Sequence, residues 1–182
     1  VTDGENISEL LFVSDKQRIY RTKASDFDTC KASALGDYIP AKLGFEKDEK
    51  AIAMDVDTKF DSKHFVIYIF ENGKGVKLPL SLYETKTTRK KLVAAYSAAS
   101  PIVAAFFVSE NEDIILVSSQ NKAIVINTKL IPEKATRTAG GVTLFTLKND
   151  QTITVASRDI ENFAGSARCR KIKIPASGTA LD

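Results

Sequence analysis

The sequence predicts an all-β, propeller-like array of about three four-stranded blades. Three observations lead there. A unit of apolar strand, polar turn, basic residue and second strand occurs three times, over residues 12–20, 69–77 and 117–125. A second unit of strand, charged turn and strand recurs in phase with the first. No segment offers an amphipathic helix of more than two turns. A repeat of roughly 40 to 50 residues built from short strands marks a radial array. One such repeat cannot bury its own apolar face, so the copies must stack.

The elements follow in order. Gln17, Gly73 and Asn121 mark the turns of the first unit, 56 and 48 residues apart. Asn72-Gly73 and Gln120-Asn121 can reach positive φ, which tight hairpins require. Residues 65–70, Phe-Val-Ile-Tyr-Ile-Phe, form a near-continuous apolar run and predict an inner strand buried on both faces. Residues 114–118 and 123–126 flank the third turn. The second unit spans 43–53, turning at Lys47-Asp48-Glu49, and 142–154, turning at Lys148-Asn149-Asp150. Its middle copy, 94–104, is degenerate and turns between Ser97 and Pro101. Ile52, Ile102 and Ile153 read as equivalent, so each repeat is expected to hold two hairpins. The blades are expected over 9–58, 60–108 and 111–157. A terminal strand and tail follow at 158–182, all within a single domain, 1–182. Longer straps lie between the units, at 23–42, 81–93 and 128–141, each read as loop plus a short edge strand. Gly36 and Gly141 fall at matching places and predict a tight bend or close backbone approach.

Composition narrows the function classes. With 182 residues, 43% hydrophobic and 27% charged, the chain can bury a globular core. It begins at Val1, which reads as a piece of a longer protein. No stretch approaches the roughly 18 apolar residues of a membrane span. Cys30 and Cys169 have no metal or disulfide spacing and read as free thiols of a reducing compartment. The lone histidine, His64, reads as a strand-end residue. Asp55 and Asp57 read as a solvated strand end. No metal spacing, phosphate-binding glycine loop or nucleophile–base pattern is present, so no cofactor is expected.

The net charge of +3, from 26 basic and 23 acidic residues, demands no polyanion by itself. Its distribution says more. Arg18, Lys74 and Lys122 occupy one position in the three hairpins. Lys31, Arg89, Lys90, Lys91, Lys134 and Arg137 lie in the straps. These cations can be solvated positions that blunt sheet edges. Alternatively, equivalent positions of a radial array share one rim, and a curved basic stripe suits a phosphate backbone.

The chain resembles the C-terminal domain found in the A subunits of DNA gyrase and topoisomerase IV. The third repeat carries the resemblance best: residues 115–124, Ile131-Pro132-Glu133, Arg137-Thr138-Ala139-Gly140-Gly141-Val142 and Leu147-Lys148-Asn149-Asp150. Residues 10–14, 18–21 and 49–52 repeat it. The middle copy keeps Gly73, Lys77, Pro79 and Leu80 but lacks the strap glycine near Lys90. The likeness runs from about Leu10 to Val155. It implies a β-pinwheel, a disc whose blades exchange strands and bend DNA around a basic rim. The gyrase heptapeptide Q-R-R-G-G-K-G is absent, as are the catalytic tyrosine and winged-helix region. Three repeats are also fewer than the five or six common in that family.

The resemblance implies a non-catalytic domain that binds and bends or wraps double-stranded DNA without sequence preference. The parent would be a bacterial, ATP-hydrolysing type IIA topoisomerase of two A and two B subunits. It would be cytoplasmic and nucleoid-associated, with no membrane partner. The alternative is a propeller-type protein-interaction module with no DNA role. The WD type is disfavoured by the absence of tryptophan. The isolated chain is expected to show no topoisomerase, ATPase or nuclease activity; plasmid relaxation or cleavage by pure, metal-supplemented protein would overturn this.

Overall fold

A computed structural model describes residues 5, 7–31, 33–85 and 90–181 of the chain. The described residues form strands β1 Glu9–Ser14, β2 Ile19–Lys23, β3 Ala51–Val56, β4 Phe65–Phe70, β5 Lys74–Pro79 and β6 Lys91–Leu92. There follow β7 Ile102–Val108, β8 Asp113–Ser118, β9 Lys122–Asn127, β10 Val142–Thr143, β11 Ile153–Ser157 and β12 Thr179–Ala180. Among the described residues there is one short α-helix, α1, at Ile39–Leu43, besides five single 3-10 turns.

The strands make three four-stranded antiparallel sheets, ordered β3-β1-β2-β6, β10-β5-β4-β7 and β11-β8-β9-β12. Each is built on a tight hairpin, β1-β2, β4-β5 or β8-β9. The turns close on a left-handed residue: Gln17 at φ 55°, Gly73 at 80° and Asn121 at 53°. These are equivalent tips, as the repeat predicts. Glycine and asparagine tolerate this conformation best, and it closes a short turn without splaying the strands.

The second unit does not form a hairpin. Its two arms separate: β10 joins the second sheet and β11 the third; in the middle copy β7 joins the second sheet, while β6, just ahead of residues 94–104, joins the first. The cause is an unfilled edge. β2, β5 and β9 would each expose a row of backbone groups, and a stretch of chain from farther along pairs with them. The equivalence of Ile52 with Ile102 and Ile153 is also off by one. Ser14 pairs with Ala51, Phe70 with Ile102 and Ser118 with Ile153, and each pair is followed by a bulge. Ile52, Val103 and Thr154 are the bulge residues, the extra residue that such irregularities insert.

The straps differ as well. Gly141, at φ 75°, lies against β5, and a Cβ there would sit 2.1 Å from the Gly75 carbonyl oxygen. Gly178 occupies the same register before β12 and abuts Phe145. In the first sheet that register holds Lys91. Gly36 has open space around it and no positive φ, so it is not the counterpart of Gly141. The first strap forms α1 rather than an edge strand. Pro40 in its first turn offers no ladder donor, and Gly44 at φ 65° ends it.

Alternation along the central strands joins the sheets. In β4, Val66, Tyr68 and Phe70 face the first sheet, packing with Leu11, Val13 and Ile19. Ile67 and Ile69 face the third, packing with Ile114, Leu116, Ile124 and Ile126. Burial on both faces accounts for the unbroken apolar run. Tyr68 stacks on Tyr96 at 4.5 Å. The Tyr83 hydroxyl donates to the Ala95 carbonyl at 2.6 Å, and the Tyr96 hydroxyl to that of Ser14 at 2.6 Å. These bonds tie the second sheet to the first hairpin. The two end faces are covered locally. Phe27 and Phe45 lie over Phe12 and Tyr20, while Ile160, Phe163 and Cys169 cover Ile115 and Val125. Cys30 and Cys169 are free, the former exposed and the latter buried. His64 stands just before β4 with Nδ1 2.8 Å from the Asp61 carboxylate.

The glycine geometry predicts a contrast. Gly141→Ala should destabilise the chain by about 2–4 kcal/mol, combining left-handed strain with a backbone clash. Gly36→Ala should change stability by less than about 0.5 kcal/mol. Urea unfolding of the two variants checks both values.

Candidate nucleic-acid interface

β7 contacts both β3 and β11, so these three strands line the inner side of the arc. The exchanged strands β6, β10 and β12 lie at the opposite, outer edge. That edge collects the hairpin basics. Lys74 pairs with Thr143 of β10, Lys122 with Ala180 of β12, and Arg18 precedes Ile19, the partner of Leu92.

The three tips are not alike. Lys74 is exposed and Lys122 half-buried, and no carboxylate of a described residue lies within ion-pair distance of either. Arg18 is committed inward. It meets Glu46 at 2.6 Å and Glu49 at 3.0 Å, with its side chain 18% exposed. Glu49 is buried and also accepts from the Ser14 hydroxyl at 2.5 Å, the Tyr20 hydroxyl and the Glu46 N–H at 2.8 Å. Burial pushes the Glu49 carboxyl up, but those hydrogen bonds and Arg18 outweigh it and hold the carboxyl below its ordinary value. Burial beside this carboxylate pushes the Tyr20 hydroxyl up to about 12. The hydrogen bond to Glu46, with Glu49 nearby, raises the guanidinium further still. Arg18 thus holds the first sheet's turn and offers little charge outward.

The strap cations spread along the same edge. Lys90 and Lys91 are exposed, with Lys91 Nζ 3.8 Å from Glu46 and 5.7 Å from the Tyr20 ring centre. Lys134 is half-buried, and its N–H donates to the Lys77 carbonyl at 2.9 Å. Arg137 lies 6.0 Å above the Tyr83 ring. Lys31 is exposed in the first strap, apart from the exchanged strands. Arg89 lies outside the described residues.

Sequence reasoning missed cations at the same edge. Arg21 and Lys77 hold matching places in β2 and β5. Arg21 bonds the Tyr83 carbonyl at 3.0 Å, and Lys77 lies 4.5 Å from the Phe65 ring centre. Lys171 is the partner of Lys134 in the next sheet, its N–H donating to the Val125 carbonyl at 2.8 Å. The period hid it: Lys77 and Val125 are 48 residues apart, whereas Lys134 and Lys171 are 37 apart. The exposed Lys173 follows. Shared strap position, rather than fixed spacing, was the available signal.

Comparison with known proteins agrees with this geometry. The family described as "DNA gyrase C-terminal domain, beta-propeller" matches residues 8–36 and 112–157. The DNA gyrase A subunit of Mycolicibacterium smegmatis is 22% identical over 115 residues, covering 63% of this chain and 14% of that protein. The chloroplastic/mitochondrial DNA gyrase A subunit of Arabidopsis thaliana is 24% identical over 151 residues, covering 83% of this chain and 16% of that protein. The chain therefore spans a small part of these curated relatives. Among solved structures, a C-terminal domain of DNA topoisomerase IV superposes with TM-score 0.71 at 18% identity, covering 84% of this chain and 47% of that one. The E. coli ParC C-terminal domain gives 0.63 at 10% identity, covering 98% and 81%.

The Arg18–Glu49 pair makes a stability prediction. Arg18→Met leaves a buried carboxylate without its cation, at a cost of about 3 kcal/mol. Because Glu49 titrates below its ordinary value of 4.5, its contribution is full above that pH and fades as pH falls through the folded value. Glu49→Gln should therefore lower stability at neutral pH and flatten its decline on the acid side. Unfolding midpoints across an acid series check both outcomes.

Proposed function

We infer that this chain, related to the C-terminal domains of the DNA gyrase and topoisomerase IV A subunits, is a non-catalytic module that binds duplex DNA along its outer edge and bends it. The observation that carries the reading is the repeated basic residue just past each left-handed hairpin tip, beside an exchanged strand. Lys74, Lys122, Lys90, Lys91, Lys134 and Arg137 supply the outward charge, extended by Lys171 and Lys173. Lys31 and Arg89 belong to the same proposed set. Arg18 acts chiefly through the turn that it braces.

A convex row of cations favours contact with phosphates over reading of base edges, so sequence discrimination is slight. Successive sheets turn the row through an arc, and a duplex that follows it must curve. Bending is resisted by duplex stiffness and offset by the added phosphate contacts. In the whole protein, the module would hold a DNA segment beside the cleavage core of a complex of two A and two B subunits. No described helix is long and apolar enough to cross a membrane.

Salt titration of duplex binding tests this. Each phosphate contact should contribute about −0.9 to the log–log slope. Lys74→Glu, Lys122→Glu and Lys134→Glu together should make the slope shallower by about two to three and weaken binding at low salt by at least about tenfold. No duplex binding at low salt, or a slope unchanged by the triple reversal, would reject the outer edge as the DNA site. A protein-interaction role would then account better for the fold.

A further inference from the structure

The three hairpin tips carry one cation each, but the turns that meet them differ. Asp15, Glu71 and Ser119 donate backbone N–H groups to the Lys50, Pro101 and Thr152 carbonyls at 3.0, 2.9 and 2.8 Å, which sets those turns in register. Four residues earlier stand Glu46, Ser97 and Lys148. The first and third turns also close alike. The Glu46 N–H donates to the Glu49 carboxylate at 2.8 Å, and the Lys148 N–H to the Gln151 side-chain oxygen at 3.3 Å. One place in the repeat therefore holds an acid, a hydroxyl and a base in turn.

The acid is engaged. Glu46 Oε1 lies 2.6 Å from Arg18 Nη2 and 3.8 Å from Lys91 Nζ, so one oxygen serves both cations. Arg18 Nη1 meets the buried Glu49 at 3.0 Å. One carboxylate thus holds the guanidinium from within, and the other covers it from outside. Exposure fits this order: the Glu46 side chain is 59% exposed and that of Arg18 18%. The Glu46 carbonyl also accepts from the Glu49 N–H at 3.1 Å, so its turn is fixed at both backbone groups. At the other two tips, no carboxylate of a described residue lies within ion-pair distance of Lys74 or Lys122. The third turn adds charge instead, through the exposed Lys148.

We propose that Glu46 is a built-in phosphate mimic that withholds Arg18 and Lys91 from DNA, so that the run of hairpin-tip contacts on a duplex begins at Lys74. Carboxylate and phosphate oxygens compete for the same guanidinium and ammonium donors. A phosphate approaching the first tip has to displace Glu46 and meets its like charge, which disfavours the contact. The second and third tips impose no such exchange. The inference rests on the proposed DNA reading and sets a boundary to it. One end of the arc is self-neutralised, and attraction for the backbone rises from the first sheet to the third.

Duplex binding by Glu46→Gln across a salt series is the test. Arg18 keeps Glu49 in this variant, and urea unfolding verifies that the fold is retained. The log–log slope should steepen by about one to two, at about 0.9 for each phosphate that Arg18 and Lys91 gain. Affinity at low salt should rise at least about threefold. Glu46→Lys, which gives the first turn the residue of the third, should act in the same direction. Lys91→Ala in the Glu46→Gln background should return about one unit of slope. Glu161→Gln, in a separate cleft beside β8, makes the same change of net charge and should leave the slope unchanged. A Glu46→Gln slope equal to wild type, or a gain matched by Glu161→Gln, overturns the mimicry. The DNA reading survives that result if reversal of Lys74, Lys122 and Lys134 still weakens binding. No duplex binding by wild type or by either Glu46 variant rejects both.

Discussion

The second strand of each hairpin has two rows of backbone hydrogen-bonding groups, and its own hairpin satisfies one. β2, β5 and β9 would otherwise end their sheets as open edges, where unpaired amides invite aggregation or pairing with another chain. Each edge is closed by two residues from farther along: Lys91-Leu92, Val142-Thr143 and Thr179-Ala180. That closure explains why the second sequence unit splits between sheets. It also explains the glycines before β10 and β12, where a side chain would strike β5 or Phe145. The basic hairpin residues flank these closures, so the position of the charge follows from the need to finish the sheets.

The first sheet departs from the other two in several linked ways. A lysine replaces the strap glycine, and a helical turn replaces the expected edge strand. A buried carboxylate anchors the turn through Arg18, Ser14 and Tyr20. The matching positions of Glu49 in the other turns are Ser100 and Gln151, judged by the adjacent backbone bonds from Asp15, Glu71 and Ser119. Only the first copy therefore carries the ion pair. Glu46, which meets Arg18 at 2.6 Å, also lies 3.8 Å from Lys91, so the first sheet's edge is tied inward where the other two are open.

Much of the fold was legible because its determinants are local. Turn chemistry at Gln17, Gly73 and Asn121, and the doubly apolar run of β4, require no knowledge of distant contacts. What eluded sequence reasoning was set by pairing. The bulges at Ile52, Val103 and Thr154 shift register by one residue without changing composition. Strand exchange sends Val142 and Ile153 to different sheets although they flank one turn. The candidate site was legible only in part for the same reason. Charge type and repeat position brought out Lys74 and Lys122. Whether a cation faces outward or meets a carboxylate, as Arg18 does, depends on residues about thirty positions away. Lys171 was hidden by a shortened strap.

The exchanged strands also give the arc a direction. The first sheet holds two residues of the second repeat, and the second sheet holds two of the third. Fraying at the C-terminal end therefore strips the edge from the third sheet and, as it spreads, unlocks the second and then the first. Fraying at the N-terminal end removes a packing face from β4 but leaves the hydrogen-bonded ladders of the later sheets intact. In a stack where each unit contacts only its neighbours, such one-way interlocking makes cooperativity asymmetric. The three sheets behave less like beads on a string than like a row of latches, each held shut by the one that follows.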